Sequence, residues 1–411
     1  MRSSDAASYD AIVIGAGISG AVMAERMASQ LNWRVLVIDQ RSHIGGNCFD
    51  ELDADGIRIH RYGPHLFHTD REDVWQYLSH FTRWQPYEHR VLSSIDGELV
   101  PIPFNLTSIE RCFPEEKAQR MISALIARFG EEARVPILEL RKEAEPLLAE
   151  LADFIYQKAF VNYTSKQWGV APEAISPAVT ARVPVVVSRD DRYFTDPWQA
   201  LPADGYTAMF AAMLNHPAIE VRLSTPMSEM LRFDWESQRI YRREGGEESL
   251  FTGKVIYTGM IDQLFAADRG ALRYRSLRFS FERKDQPWWQ PATTVNYPND
   301  HDYTRITEFR HLMQPEPAAA ATTVVYEFPK EFDPAAGDEP YYPVFTEEGQ
   351  HRFDDYAARA KAMSQLHCLG RLAQYKYFDM DDAVANALEA FTALEAAIRS
   401  KSAGGESVPH G

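Results

Sequence analysis

The residues best suited to chemistry begin at Gly15-Ala16-Gly17-Ile18-Ser19-Gly20, three glycines at the spacing of a dinucleotide fingerprint. Glycines so placed permit a tight turn and let backbone N–H groups approach a pyrophosphate at a helix N-terminus. Asp39 follows at the end of the next apolar segment, where a carboxylate can accept hydrogen bonds from a ribose diol. His65 and His68 lie three apart in a Gly-Pro loop and could be read as metal ligands, but no carboxylate or cysteine stands at a spacing that completes a set. The chemistry indicated is dinucleotide binding, with no metal.

That fingerprint requires a strand before it and a helix after it. Residues Tyr9 to Ile14 read as a buried strand, Gly20 to Leu31 as a helix and Arg34 to Ile38 as a second strand, which make one βαβ-type unit. From Thr107 to about Lys158 the periodicity is helical. Met121, Leu125 and Phe129 share one face, and Pro114, Glu115 and Glu116 suit a first turn. Pro177 to Pro202 shows no clear period and is expected to be a long functional loop before a helix at Thr207 to Leu214. Leu277 to Glu282, Thr293 to Tyr297, Thr304 to Arg310 and Thr322 to Phe328 predict an antiparallel sheet. A short strand ends at Leu369 and Gly370, and Asp381 and Asp382 open a last helix with Val384, Leu388, Phe391 and Ile398 on its apolar side.

A chain of 411 residues exceeds the roughly 250–300 at which one core stops growing, so several domains are expected. The formal net charge of -16, with no basic block, excludes a nucleic-acid partner and leaves any anionic ligand to a few local arginines. No run approaches the ~20 apolar residues of a membrane helix, and the start of the chain does not read as a targeting signal, so no membrane association and a cytoplasmic location are expected. Cys48, Cys112 and Cys368 lie far apart and suggest reduced thiols.

After Asp39 come Arg41 and Gly45-Gly46-Asn47, a spacing that resembles the flavoprotein superfamily of amine oxidases and carotene desaturases and so implies FAD rather than NAD. Gly370-Arg371 followed by Tyr377-Phe378-Asp379-Met380-Asp381 looks like the second half of the same site. Tyr62-Gly-Pro-His65-Leu66-Phe-His68-Thr narrows the resemblance to bacterial UDP-galactopyranose mutases. That family's order is then followed through Tyr163-Thr-Ser-Lys-Gln-Trp168-Gly, Thr180-Ala-Arg182-Val-Pro, Asp191-Arg-Tyr193-Phe194, Tyr303-Thr-Arg305, Pro340-Tyr341-Tyr342-Pro343 and Gly370 to Asp379.

The resemblance implies an isomerase that interconverts UDP-galactopyranose and UDP-galactofuranose. Reduced flavin N5 would attack the anomeric carbon and expel UDP, with no net oxidation. It also implies a reductant for the flavin and a homodimer. Arg182 and Arg305 match the two arginines that stabilise the diphosphate, and His68 would lie near N5. Phe160, Tyr163, Trp168, His89, Tyr193, Phe194, Tyr342 and Tyr377 match substrate contacts. The cofactor set is Gly15, Gly17, Ser19, Gly20, Asp39, Gly46, Asn47, His65, Leu66, Val221, Arg371, Asp379 and Met380. Strand alternation would place Arg305 on one face with Tyr303 and Phe309.

Two positions depart from the family pattern: Asp39 where Glu is frequent, and Ala159 where an aromatic is expected. The fold expected is α/β, with a discontinuous Rossmann-like FAD-binding domain over 1–83, 205–262 and 358–400. A helical insert over 105–200, an antiparallel sheet domain over 84–104 and 263–357, and a disordered tail over 401–411 complete the organisation. The rival reading, a flavin oxidase or desaturase, would need an apolar substrate tunnel.

Overall fold

A computed structural model describes residues 9–169, 184–315 and 318–404 of the chain. Ala11–Ile14 and Val35–Ile38 are buried along their whole length, as strands covered on both faces must be. They form the middle of a five-stranded parallel sheet. Across it run Ile219–Arg222, Val35–Ile38, Ala11–Ile14, Lys254–Tyr257 and Leu366–Cys368, so five distant stretches of sequence build one layer. The helix Ile18–Leu31 packs on this sheet and against Tyr206–Leu214 and Met380–Gly404. It starts two residues before the expected Gly20, because the extended backbone of Gly17 already acts as its N-cap. The last helix continues to Gly404, past the end expected at about Lys401.

The second sheet has seven strands. Its order is Tyr342–Pro343, Tyr274–Lys284, Thr322–Glu331, Arg305–Glu308, Thr294–Asn296, Val91–Ile95 and Glu98–Ile102, antiparallel except where Thr294–Asn296 runs parallel to Val91–Ile95. Helices Leu106–Cys112, Glu115–Phe129 and Pro146–Ile155 close a separate core in which Met121, Leu125, Leu148, Leu151 and Ile155 meet Val91, Ile95 and Val100 of that sheet. A π-helical turn at Tyr156–Val161 leads into Asn162–Trp168, and such turns often mark functional positions.

The stretch expected as one long loop is partly regular. Val185–Val186 pairs with Arg134–Val135, and Trp198–Pro202 pairs with both Phe67–Thr69 and Trp84–Pro86. Trp84–Pro86 therefore joins this small sheet rather than the seven-stranded one. The alternation was hard to read because two-residue strands carry no period, and Trp198–Pro202 ends in a proline. This small sheet matters to the site, since its register sets Gln199 opposite His68.

Candidate active site

At the C-terminal edge of the parallel sheet lies a cleft of about 550 Å³ lined by Gly15, Gly17, Ser19, Asp39, Gly46, Asn47, His65, Arg371, Asp379 and Met380. Gly15 has φ +107°, and a Cβ there would stand 2.0 Å from Thr258 Oγ1. A Cβ on Gly46 would come within 2.9 Å of Gly17 Cα, so two stretches of backbone approach each other closely beside the cleft. Gly17 provides no side-chain cap to the helix Ile18–Leu31, which leaves its first-turn N–H groups for an anion. The Asp39 carboxylate is fixed by the backbone N–H groups of Ala16 and Arg41, each 2.8 Å away. Arg371 donates to the carbonyls of Tyr341 (3.1 Å) and Phe378 (2.8 Å). It braces the loops around the cleft.

Two expected cofactor residues are not part of the cleft lining. Gly20 is the third residue of the helix Ile18–Leu31, and a Cβ there would stand 1.9 Å from the Gly15 carbonyl oxygen, so its missing side chain lets helix and turn pack closely. Val221, on the edge strand Ile219–Arg222, pairs with Val37 and packs half-buried against the core, while Thr225 and Met227 of the following turn line the cleft.

A second cavity of about 460 Å³ shares Asn47, His65, Tyr341, Arg371, Asp379 and Met380 with the first. Its further walls include Leu66, His68, His89, Tyr163, Tyr193, Phe194, Arg305, Tyr342 and Tyr377, contributed by the 60s loop, the helical insert and both ends of the second sheet. His68 has Nδ1 3.0 Å from Asp196 Oδ2, and its ring stacks on Phe194 at 3.6 Å. Gln199 holds that turn by donating to the carbonyls of Phe194 (3.2 Å) and Asp196 (3.0 Å). Burial first, then the nearby Arg305 and His68, pushes the His89 pKa down to about 3, so its ring is neutral. Burial likewise brings His65 to about 3, with Nδ1 2.8 Å from the Gly63 carbonyl. Tyr342 and Tyr377 stack with centroids 5.7 Å apart, and burial raises the Tyr163 and Tyr342 phenols, keeping both protonated as donors.

Arg305 opens the strand Arg305–Glu308 with Nε 3.3 Å from Glu327 Oε1. Burial opposes its charge while Glu327 and the surrounding phenols favour it, and the balance lies above the ordinary arginine value.

Some expected contacts fall elsewhere. Phe160 stacks with Tyr156 at 5.8 Å, against the helical core and off the cavity wall, and Ala159 packs there too. Phe309 does not share the face of Arg305: the strand ends at Glu308, a 3-10 turn follows, and Phe309 is fully buried in the main core. Tyr303 joins a ring cluster with Tyr297, His301 and Tyr326. Arg182 and the side chain of Trp168 lie outside the described residues.

Sequence reasoning missed Asp196, Glu327, Gln167, Thr294 and Asn296. Glu327 could have been flagged as a lone acid within the apolar run Thr322–Phe328. Gln167 Oε1, Thr294 Oγ1 and Asn296 Oδ1 are buried without hydrogen-bond partners, and all three residues line the second cavity. Buried acceptors left open in this way suit a polar ligand.

A family model for UDP-galactopyranose mutase matches residues 158–377, more than half of the 411-residue chain, and one for an NAD(P)-binding Rossmann-like domain matches residues 13–81. The chain is 34% identical to a dTDP-fucopyranose mutase of Escherichia coli, over 92% of its own length and 96% of the relative's. It is 35% identical to a UDP-galactopyranose mutase of Mycoplasma pneumoniae, over 92% and 94% respectively. In fold it is similar to a crystal structure of reduced UDP-galactopyranose mutase, with a TM-score of 0.72, 17% identity and coverage of 95% of this chain and 94% of that one. Matches of this length on both sides of the cavity leave one assignment: the chain belongs to the UDP-galactopyranose mutase family and is an isomerase.

Proposed function

We propose that this isomerase interconverts UDP-galactopyranose and UDP-galactofuranose with FAD bound in the first cleft and kept reduced by a cellular reductant. The observation that carries this reading is Arg305, which faces a polar cavity continuous with the dinucleotide cleft and ringed by Tyr163, Tyr193, Tyr342 and Tyr377. The glycine contacts, the uncapped helix start and the fixed Asp39 carboxylate fit the diphosphate and ribose of FAD. Reduced flavin supplies, when bound, a nucleophilic nitrogen for the anomeric carbon.

The chain's own groups do the rest. As the bond from the anomeric carbon to the diphosphate breaks, negative charge grows on phosphate oxygens, and the Arg305 guanidinium is positioned to receive it. Arg182 is proposed as its counterpart on the family resemblance. Protonated tyrosines donate to the same oxygens, and their rings exclude water. His68, with Nδ1 held by Asp196, has its other ring nitrogen for a sugar hydroxyl or the flavin. The amine-oxidase reading is weaker, because a buried arginine and glutamate in the wall do not suit an apolar tunnel. The proposal includes a homodimer in the cytoplasm, on the family resemblance.

The Escherichia coli relative named for dTDP-fucopyranose makes that sugar nucleotide the second candidate substrate. Both ligands carry the diphosphate that Arg305 would bind; they differ in base, ribose and sugar C6. Chemically reduced enzyme should convert UDP-galactofuranose to UDP-galactopyranose, and oxidised enzyme should not. Conversion of dTDP-fucofuranose alone would replace the substrate, and inertness toward both would end the reading.

A further inference from the structure

Glu327 is 3% exposed, and its Oε1 has no hydrogen-bond partner. It stands within ion-pair distance of Arg305 Nε, but Nε also makes no hydrogen bond, so the two charges face each other without an aligned contact. Both residues line the cavity that receives the nucleotide sugar on the reading above. A carboxylate in such a place is held ionised by a single neighbouring cation. When a diphosphate engages the same guanidinium, two anionic groups must share one cation away from bulk water, and like charges at short range favour the protonated acid. We infer that Glu327 takes up a proton from solvent when a nucleotide diphosphate binds Arg305, and returns it on release. Glu327 then acts as the site's variable counter-charge, compensating the arginine in the empty enzyme and withdrawing when substrate arrives.

The surroundings agree with this assignment. Burial already raises the Glu327 pKa in the free protein, with Arg305 opposing. Facing it are Arg305 on the neighbouring strand, Tyr163 from the helical insert, and Tyr341 and Tyr342 from the far edge of the sheet. The phenols are shifted upward and remain neutral donors. His68, His89, Arg371 and Asp379 line the same cavity. His89 is neutral and Arg371 is occupied by two carbonyls, while Asp379 accepts from Tyr377 and His68 stands beside Asp196.

The inference rests on the proposed function, and calorimetry separates the two. Oxidised holoenzyme is titrated with UDP-galactose, which has no phosphate group titrating near neutrality, at pH 6 in two buffers of different ionisation enthalpy. The difference in observed heat should report net proton uptake on binding, and Glu327→Gln should bind with the uptake abolished. No uptake, or uptake unchanged in Glu327→Gln, overturns the inference; the second result assigns the proton to another group of the cavity. Should that variant fail to fold, the native protein still decides. Its Kd for UDP-galactose should weaken with rising pH, by up to tenfold per unit between the free and bound pKa of Glu327, and a pH-independent Kd overturns the inference. Absence of binding by both UDP-galactose and dTDP-fucose would instead remove the functional reading on which it depends.

Discussion

Asp196 Oδ2 lies 3.0 Å from His68 Nδ1, on a turn that Gln199 ties down from the strand paired with His68 itself. The histidine ring is thus oriented by a carboxylate on one side and by the Phe194 face on the other. Asp196→Asn should leave the fold intact, since Asp196 is partly exposed, while loosening the ring. Steady-state kinetics are expected to show kcat lowered roughly tenfold, equivalent to about 1.4 kcal/mol, with KM little changed.

On the proposed function, Arg305→Ala removes a guanidinium that receives the charge developing on the diphosphate. Turnover should fall by about 10²–10³-fold, the scale seen when a donor to developing negative charge is deleted. Flavin absorbance of the purified variant should match that of the native protein, because Arg305 does not line the cofactor cleft. Arg305→Lys should recover only part of the loss, as an ammonium lacks the forked geometry.

Lys166 joins the helical insert to the loop before Arg305. Its ammonium donates to the carbonyls of Tyr297 (3.2 Å), Asn299 (3.2 Å) and His301 (2.6 Å). Lys166→Met leaves those carbonyls without their cation and should destabilise the protein by about 1.5–3 kcal/mol, read from denaturant unfolding. The affinity for UDP should fall as well, because this loop leads directly into the strand that carries Arg305.

His60 makes the protein sensitive to acid. It is 3% exposed, its Nδ1 accepts from the His65 N–H at 2.9 Å, and burial pushes its pKa down to about 3. Because this folded value lies below the unfolded one near 6.5, the contribution is complete at higher pH and is lost as pH falls below about 6.5. Lowering the pH from 7 to 5 should cost about 2 kcal/mol through this residue alone. Unfolding curves at the two pH values check the slope, and a His60→Gln variant, once folded, should show a shallower one.

The cofactor half of the site was legible because its requirements are local: glycines fix a turn, a period identifies the helix, and Asp39 ends the next strand. The same locality limits what the pattern can say. Gly20 carries the fingerprint spacing and also permits a close backbone contact, and Val221 sits on an edge strand whose following turn, not its side chain, lines the cleft. Asp196 and Glu327 become meaningful only once strands far apart in sequence are paired, since each acts on a residue more than twenty positions away. No periodicity announces such partnerships. The resemblance identifies Arg305 but not its strand face: alternation extended past Glu308 puts Phe309 beside Arg305, whereas a turn delivers that ring to the core.

The parallel sheet has a consequence for how the protein comes to exist in a cell. One edge strand is Leu366–Cys368, and the first helix rests against one that begins at Met380, so the layer beneath the glycine turn stays incomplete until those residues have left the ribosome. The N-terminal βαβ unit must wait, with apolar faces uncovered, for about 340 further residues. On the proposed reading, cofactor capture therefore follows synthesis of the strand Leu366–Cys368 and the helix from Met380. Truncation after residue 360 should yield aggregated, colourless protein rather than a weakened enzyme.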